Sequence, residues 1–165
     1  MRPVLAAVLI ACLPSLVRAQ VTAPTSTSEE REAILAIVQK FFDTMAAADV
    51  EGNRAVLTPE ARFYALQEKP GGPTTVRSSS TEEWLKQLAT GKRKVRERMW
   101  DPEVRVHGGI AVVWTPYDFW IDGKFSHCGV DAFNLVKTPE GWKLSGGTYT
   151  VERTGCQPSP LGPLK

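Results

Sequence analysis

Asp122-Gly123 stands between two long runs of strand-forming residues, and nearly everything from Lys94 to Glu152 reads as strand. Asp-Gly is a two-residue hairpin signal, because both residues tolerate positive φ and the resulting turn matches the twist of its flanking strands. Asp101-Pro102 interrupts the first strand as a bulge or turn would, and Gly108-Gly109 reverses the chain. "KTPEGW" makes the next turn, and Trp142 to Glu152 is the last strand. This run predicts an antiparallel meander with one face to bury.

The chain before it reads as helix. Thr27 or Ser28 caps a helix with Glu29, Glu30 and Glu32 in its first turn, where the dipole favours anions. Ile34, Ile37, Val38, Phe41 and Met45 recur at helical spacing and carry it to about Asp49. Gly52 and Pro59 bracket a short second helix over 53–57, Ala61 to Leu66 forms a short strand, and "EKPGGPTT" is a loop. Ser80 and Glu83 have capping-box spacing ahead of Trp84, Leu85 and Leu88, a third helix that Gly91 ends. Helices segregated from a run of strands mean α+β. The expected domain spans 28–153: three N-terminal helices on the concave face of a curved, mainly antiparallel sheet. A Pro-rich tail, 154–165, lacks the donors to join that sheet.

Residues 1–19 read as a secretory signal, with an apolar run from Val4 to Leu13 and small residues before a cleavage point near Ala19. That run is too short to span a bilayer. A competing reading takes Leu9-Ile10-Ala11-Cys12 as a lipobox, with a lipid on Cys12. Residues 20–27 form a polar, disordered lead-in. Losing Arg2 and Arg18 reduces the basic residues from 20 to 18, against 18 acidic, so the mature chain is near neutral. Near-neutrality argues against nucleic acid or an anionic membrane as partner. The basic run "GKRKVRER" alternates, as a solvated strand face does. Cys128 and Cys156 survive processing, and an even count in an exported chain favours a disulfide, with a free thiol as the alternative.

The stretches "AVVWTPYDFWIDGKFSHCGVDAFNLV" and "GWKLSGGTYTVERTGC", in this order of elements, resemble the nuclear-transport-factor-2-like superfamily over about residues 28–156. They are most similar to its exported bacterial members of the SnoaL-like or lumazine-binding-like kind. The resemblance implies a cone-shaped α+β barrel, a homodimer and a cavity between helices and concave sheet. Members include isomerases, dehydratases and epoxide hydrolases, but their catalytic motifs are not matched residue by residue here.

With Asp122 and Gly123 as turn residues and an uninterrupted ladder, Asp118 stands opposite His127, Trp114 opposite Asp131, Val112 opposite Phe133 and Ile110 opposite Leu135. Opposite residues share a face. That face is expected to be concave, so Asp118, His127 and Asp131 point inward with Trp114. Ala111, Val113, Thr115, Tyr117, Cys128, Val130 and Ala132 fall on the convex face, mild enough for a dimer surface. A four-residue loop over 138–141 brings Trp142 and Leu144 inward and puts Thr148 opposite Asp131. Glu97 shares a face with Val95 and Met99, and Tyr64 and Trp100 are candidates for the cavity wall; His107 reads as exposed.

An aspartate beside a histidine in an apolar pocket is an acid–base pair: Asp118 would fix the tautomer of His127, and Asp131, buried against Trp114, would have a raised pKa. The blander alternatives stay open: a rim hydrogen bond for Asp118 and His127, backbone donors for Asp131, and water for Glu97. The expected function is binding of a small, partly apolar ligand by Trp114, Asp118, His127, Asp131, Thr148, Glu97, Trp100 and Tyr64. One alternative is a cofactor-free isomerase, dehydratase or hydrolase using His127, Asp118 and Asp131; another is an interaction module with a collapsed cavity. With no nucleotide loop, metal-ligand cluster or nucleophile elbow in the sequence, no cofactor or metal is expected.

Overall fold

The apolar stripe of the first helix becomes α1 (Ser28–Ala46), which buries Ile34, Val38, Phe41, Phe42 and Met45. These contribute about 1.5–3 kcal/mol each by leaving water. Thr27 caps the helix by accepting from the Glu30 amide at 3.1 Å. A second helix, α2 (Val50–Ala55), starts three residues earlier than the Gly52–Pro59 bracket suggests, because Asp49 caps it through the Gly52 amide. The third, α3 (Thr81–Ala89), has the full capping box between Ser80 and Glu83. Asn53 ties the three together: its amide donates to Phe41 O and Thr44 Oγ1 and accepts from Trp84 Nε1 at 2.9 Å. A fully satisfied buried amide of this kind fixes one arrangement of its neighbours. The structure is a computed structural model and describes residues 27–67 and 71–164. The expected leader, its cleavage point near Ala19, Cys12 and most of the lead-in lie outside the described residues.

The strands are β1 (Leu57–Gln67), β2 (Thr75–Ser80), β3 (Val95–Met99), β4 (Glu103–His107), β5 (Ile110–Ile121), β6 (Lys124–Thr138) and β7 (Gly141–Val151). They form one curved, unclosed sheet in the order β2-β1-β7-β6-β5-β3, with β4 also on β5. All pairs are antiparallel except β1 with β7. The α+β class and the helices over a curved sheet are as read from the sequence; α1 packs on β3 and β7, and α3 on β1. Between the expected loop and the third helix, where the sequence assigns no element, lies β2, a polar strand with no apolar face to announce it.

Two bulges reset the register, and they correct the sequence-based facing of β5. Asp122 and Gly123 make the turn with φ of 52° and 76°, and Ile121 and Trp120 pair with Lys124 and Phe125 as expected. Ser126 is then left unpaired, so Phe119 meets His127, Thr115 meets Asp131 and Val113 meets Phe133. One extra residue turns every later β5 side chain over. Ala111, Val113, Thr115, Tyr117 and Phe119 face the helices, while Ile110, Val112, Trp114 and Asp118 lie on the outer face. The β6 residues His127, Asp131, Phe133 and Leu135 are concave, as read. A second bulge at Ser145 puts Tyr149, not Thr148, opposite Asp131, although Trp142 and Leu144 are buried as expected.

The outer face has a covering of its own. Cys128 and Cys156 are bonded, with Cα atoms 5.9 Å apart. The tail beyond Cys156 runs over a hollow lined by Trp100, Asp118, Trp120 and Phe125. Arg98 holds it there by donating to Gly162 O at 2.8 Å. Cys156→Ser is expected to cost about 2 kcal/mol, the low end for a disulfide, because only a terminal segment is released. Urea unfolding measures that cost, and a red shift of tryptophan emission would report the uncovering of Trp100 and Trp120.

Candidate functional site

Between α1, α3 and the concave face lies a cavity of about 240 Å³. Its apolar walls come from the helical stripe and the inward positions of the strands. Phe41 stacks on Phe63 at 5.5 Å and on Trp84 at 5.3 Å, with Phe133 edge-on to Phe41 at 6.0 Å. The bond from Trp84 to Asn53 fixes the indole that forms one wall. A second hollow of about 240 Å³ adjoins across Met45, Trp84 and Phe119 and opens between α3 and β3. Together the two reach the size usual for small-molecule sites.

Two carboxyls face each other in this apolar setting. Asp131 is 2 % exposed. Glu97, from β3, borders the cavity and reaches the Asp131 carboxyl within hydrogen-bonding range. Burial holds both well above the ordinary carboxylate range; the neighbouring Asp131 charge pushes Glu97 up further, while the hydrogen bond from Glu97 pulls Asp131 part of the way back. A pair of this kind keeps one proton between two acids, because two adjacent buried charges cannot both be sustained.

Asp131 Oδ2 is buried with no hydrogen-bond partner. Two nearby hydroxyls are committed elsewhere: Thr115, directly opposite Asp131, donates to Trp100 O at 2.9 Å, and Tyr117 donates to Thr150 O at 2.6 Å. The Thr150 hydroxyl accepts from the Val130 amide. A buried polar atom without a partner costs about 1–3 kcal/mol, and the carboxyl that carries it lines the cavity.

His127 lines the same cavity, stacked on Phe119 at 4.8 Å, with Nδ1 3.0 Å from Ser126 Oγ. Burial first, then the Arg153 charge, lowers its pKa from 6.5 to about 4, so the ring is neutral at neutral pH. Burial raises the Tyr117 and Tyr149 hydroxyls, the two acids adding to both and Arg77 opposing at Tyr149. Gly129 leaves space between His127 and Asp131 that the Tyr117 ring covers, its Cε1 2.8 Å from where a Cβ would stand. Arg77 and Arg153 complete the lining. No group of three or more potential metal ligands is gathered among the described residues.

Of the residues proposed from the sequence, His127, Asp131 and Glu97 come together in this cavity. Asp118 does not; it lies across the sheet, 2 % exposed and bonded to Arg98. Trp114, Thr148 and Tyr64 lie in one cross-strand row on the outer face, with Ala132 between Trp114 and Thr148; Trp114 is 54 % and Tyr64 40 % exposed. Trp100 lines the hollow under the tail. Tyr117, Phe119 and Tyr149 escape the sequence reading because each sits beyond a bulge. Neither unpaired residue, Ser126 for Tyr117 and Phe119 or Ser145 for Tyr149, leaves a mark in the period-two pattern.

The family model described as "Putative lumazine-binding" matches residues 29–150. A protein of unknown function with a cystatin-like fold from Nostoc punctiforme is 13 % identical, covers 82 % of this chain and 97 % of its own, and has a TM-score of 0.63. A "putative dehydratase from the NTF2-like family" of Streptomyces avermitilis is 20 % identical over 73 % of this chain and 94 % of its own, with a TM-score of 0.57. A superfamily member from Salmonella enterica is 19 % identical over 79 % and 96 %, with a TM-score of 0.62. At these identities the likeness is one of fold. No curated protein matches the chain.

Proposed function

The chain belongs to the putative lumazine-binding family, within the nuclear-transport-factor-2-like superfamily, and on that premise we propose that it binds a small, partly apolar ligand in the helix–sheet cavity. The observation that carries this reading is a buried, incompletely bonded carboxyl, Asp131, lining an aromatic cavity. A flat ring bearing N–H or O–H groups, as a lumazine does, meets both needs: stacking faces for Phe41, Phe63 and Trp84, and a donor for the carboxyl. The disulfide supports an exported protein, since such bonds persist in oxidising compartments.

The second reading is a cofactor-free acid–base enzyme. The proton held by Glu97 and Asp131 favours it, because a carboxyl tuned toward neutral pH can give and take a proton there. In this reading Glu97 replaces Asp118, and neutral His127 is the third group. The uncovered outer face, with Ile110, Val112, Trp114 and Tyr64 exposed, supports a homodimer through residues different from those expected.

Native mass spectrometry of the purified mature protein tests ligand and dimer together. The expected spectrum shows a dimer carrying a low-mass ligand, and lumazine added to ligand-free protein quenches Trp84 emission. A bare protein whose emission ignores lumazine would overturn the binding reading.

A further inference from the structure

The concave face is polarised. Arg77, Ala65, Tyr149 and Asp131 are successive cross-strand neighbours from β2 to β6. They place an arginine and an acid three strand spacings apart, about 14 Å between backbones. A second row runs from Glu97 through Phe119 to His127. Arg153 lies beside it, directly after the bridge between Cys128 and Glu152. Both rows have an acid at the β3–β6 end and an arginine at the β7–β2 end, and all four charged groups line one cavity. The two arginines are exposed at the mouth, while Asp131 is buried. Their charges are felt inside: Arg153 acts on His127 and Arg77 on Tyr149.

We propose that the ligand is bipolar: a flat apolar body with an anionic group, such as a carboxylate, held at Arg77 and Arg153, and a neutral O–H or N–H at its far end donating to the Asp131 carboxyl. This rests on the cavity being a ligand site and adds the ligand's charge and orientation. The guanidinium groups suit an anion by charge and by forked donors. The acid end rejects an anion and accepts a donor. A neutral ligand leaves the mouth unused, and a cationic one meets two arginines on entry.

The probes are 6-hydroxy-2-naphthoate, its neutral carboxamide and 2-naphthoate, titrated against tryptophan emission. The hydroxynaphthoate is expected to bind about tenfold or more tighter than either of the others, as one charge-assisted contact or one donor is removed. Arg77→Gln with Arg153→Gln should erase the preference over the carboxamide, and added salt should narrow it. Equal affinities for carboxylate and carboxamide would overturn the bipolar ligand while leaving the cavity as a binding site. Failure of all three probes would overturn both.

Discussion

Asp131→Asn is expected to be more stable than the native protein at neutral pH and to lose the function of the site. The amide keeps the shape of the carboxyl, gives Glu97 a donor and leaves one acid where two faced each other. The pH dependence is the sharper readout. In the native fold the pair keeps a proton that the unfolded chain releases, because burial raises both acids. Its stabilising contribution is therefore lost as pH rises above the ordinary carboxylate range, at about 1.4 kcal/mol per pH unit. His127 acts in the opposite sense: held neutral, it supports the fold above 6.5 and loses that support as pH falls toward about 4. The two slopes oppose each other between those values, with the partly buried His127 giving less than its full effect. Thermal unfolding should show native stability falling as pH rises above the ordinary carboxylate range, and falling less steeply in the variant, where Glu97 keeps its burial but loses its acidic neighbour. Ligand affinity should drop about tenfold, since an amide oxygen is a weaker acceptor than a carboxylate. Any acid–base turnover should fall about 10²–10⁴-fold. A variant destabilised at every pH would mean that the carboxyl holds the fold together.

Arg98→Ala should be the most damaging single change on the outer face. Asp118 accepts from Arg98 Nε and from Trp120 Nε1, both at 2.9 Å, and from Arg98 Nη2. Removing the guanidinium strands a buried carboxylate, at a cost of about 3 kcal/mol, the low end for a buried pair because the site lies under a thin tail. It also frees Gly162, the other acceptor of Arg98. Replacing both partners, as in Arg98→Met with Asp118→Leu, should cost much less than the single change, because no charge is left behind. Urea midpoints of the three variants measure this. The exposed Arg54–Glu82 pair has similar geometry and is expected to matter far less.

The second experiment acts where sequence and structure diverge, at Asp118, and the first on Asp131, which lies inward as read. The helical stripe, the capping box at Ser80 and the Asp122-Gly123 turn are local signals, and each appears where the sequence puts it. So does the inward set on β6, because Phe133 and Leu135 fix its facing. What could not be read was the ladder count. A single unpaired Ser126 exchanged the faces of β5, sending Asp118 from the assumed site to a structural ion pair and bringing Tyr117 inward. Ser145 did the same to Tyr149 and Thr148. Bulges respond to three-dimensional packing, here the placing of small Ala111 and Val113 in the core under the helices, and period-two arithmetic carries no sign of them. The acid pair shows the same limit: Glu97 and Asp131 are 34 positions apart in the chain, and only the curvature of the sheet brings them together.

The central claim is that Glu97 and Asp131 share one proton in a cavity open to a ligand. Carbon-13 NMR of the side-chain carboxyls, followed through a pH titration of the ligand-free protein, tests it most directly. The account predicts that the pair still holds a proton at neutral pH, with the two resonances moving together, and that Asp131→Asn returns Glu97 toward ordinary titration. Two carboxyls that titrate independently near their ordinary values would contradict it.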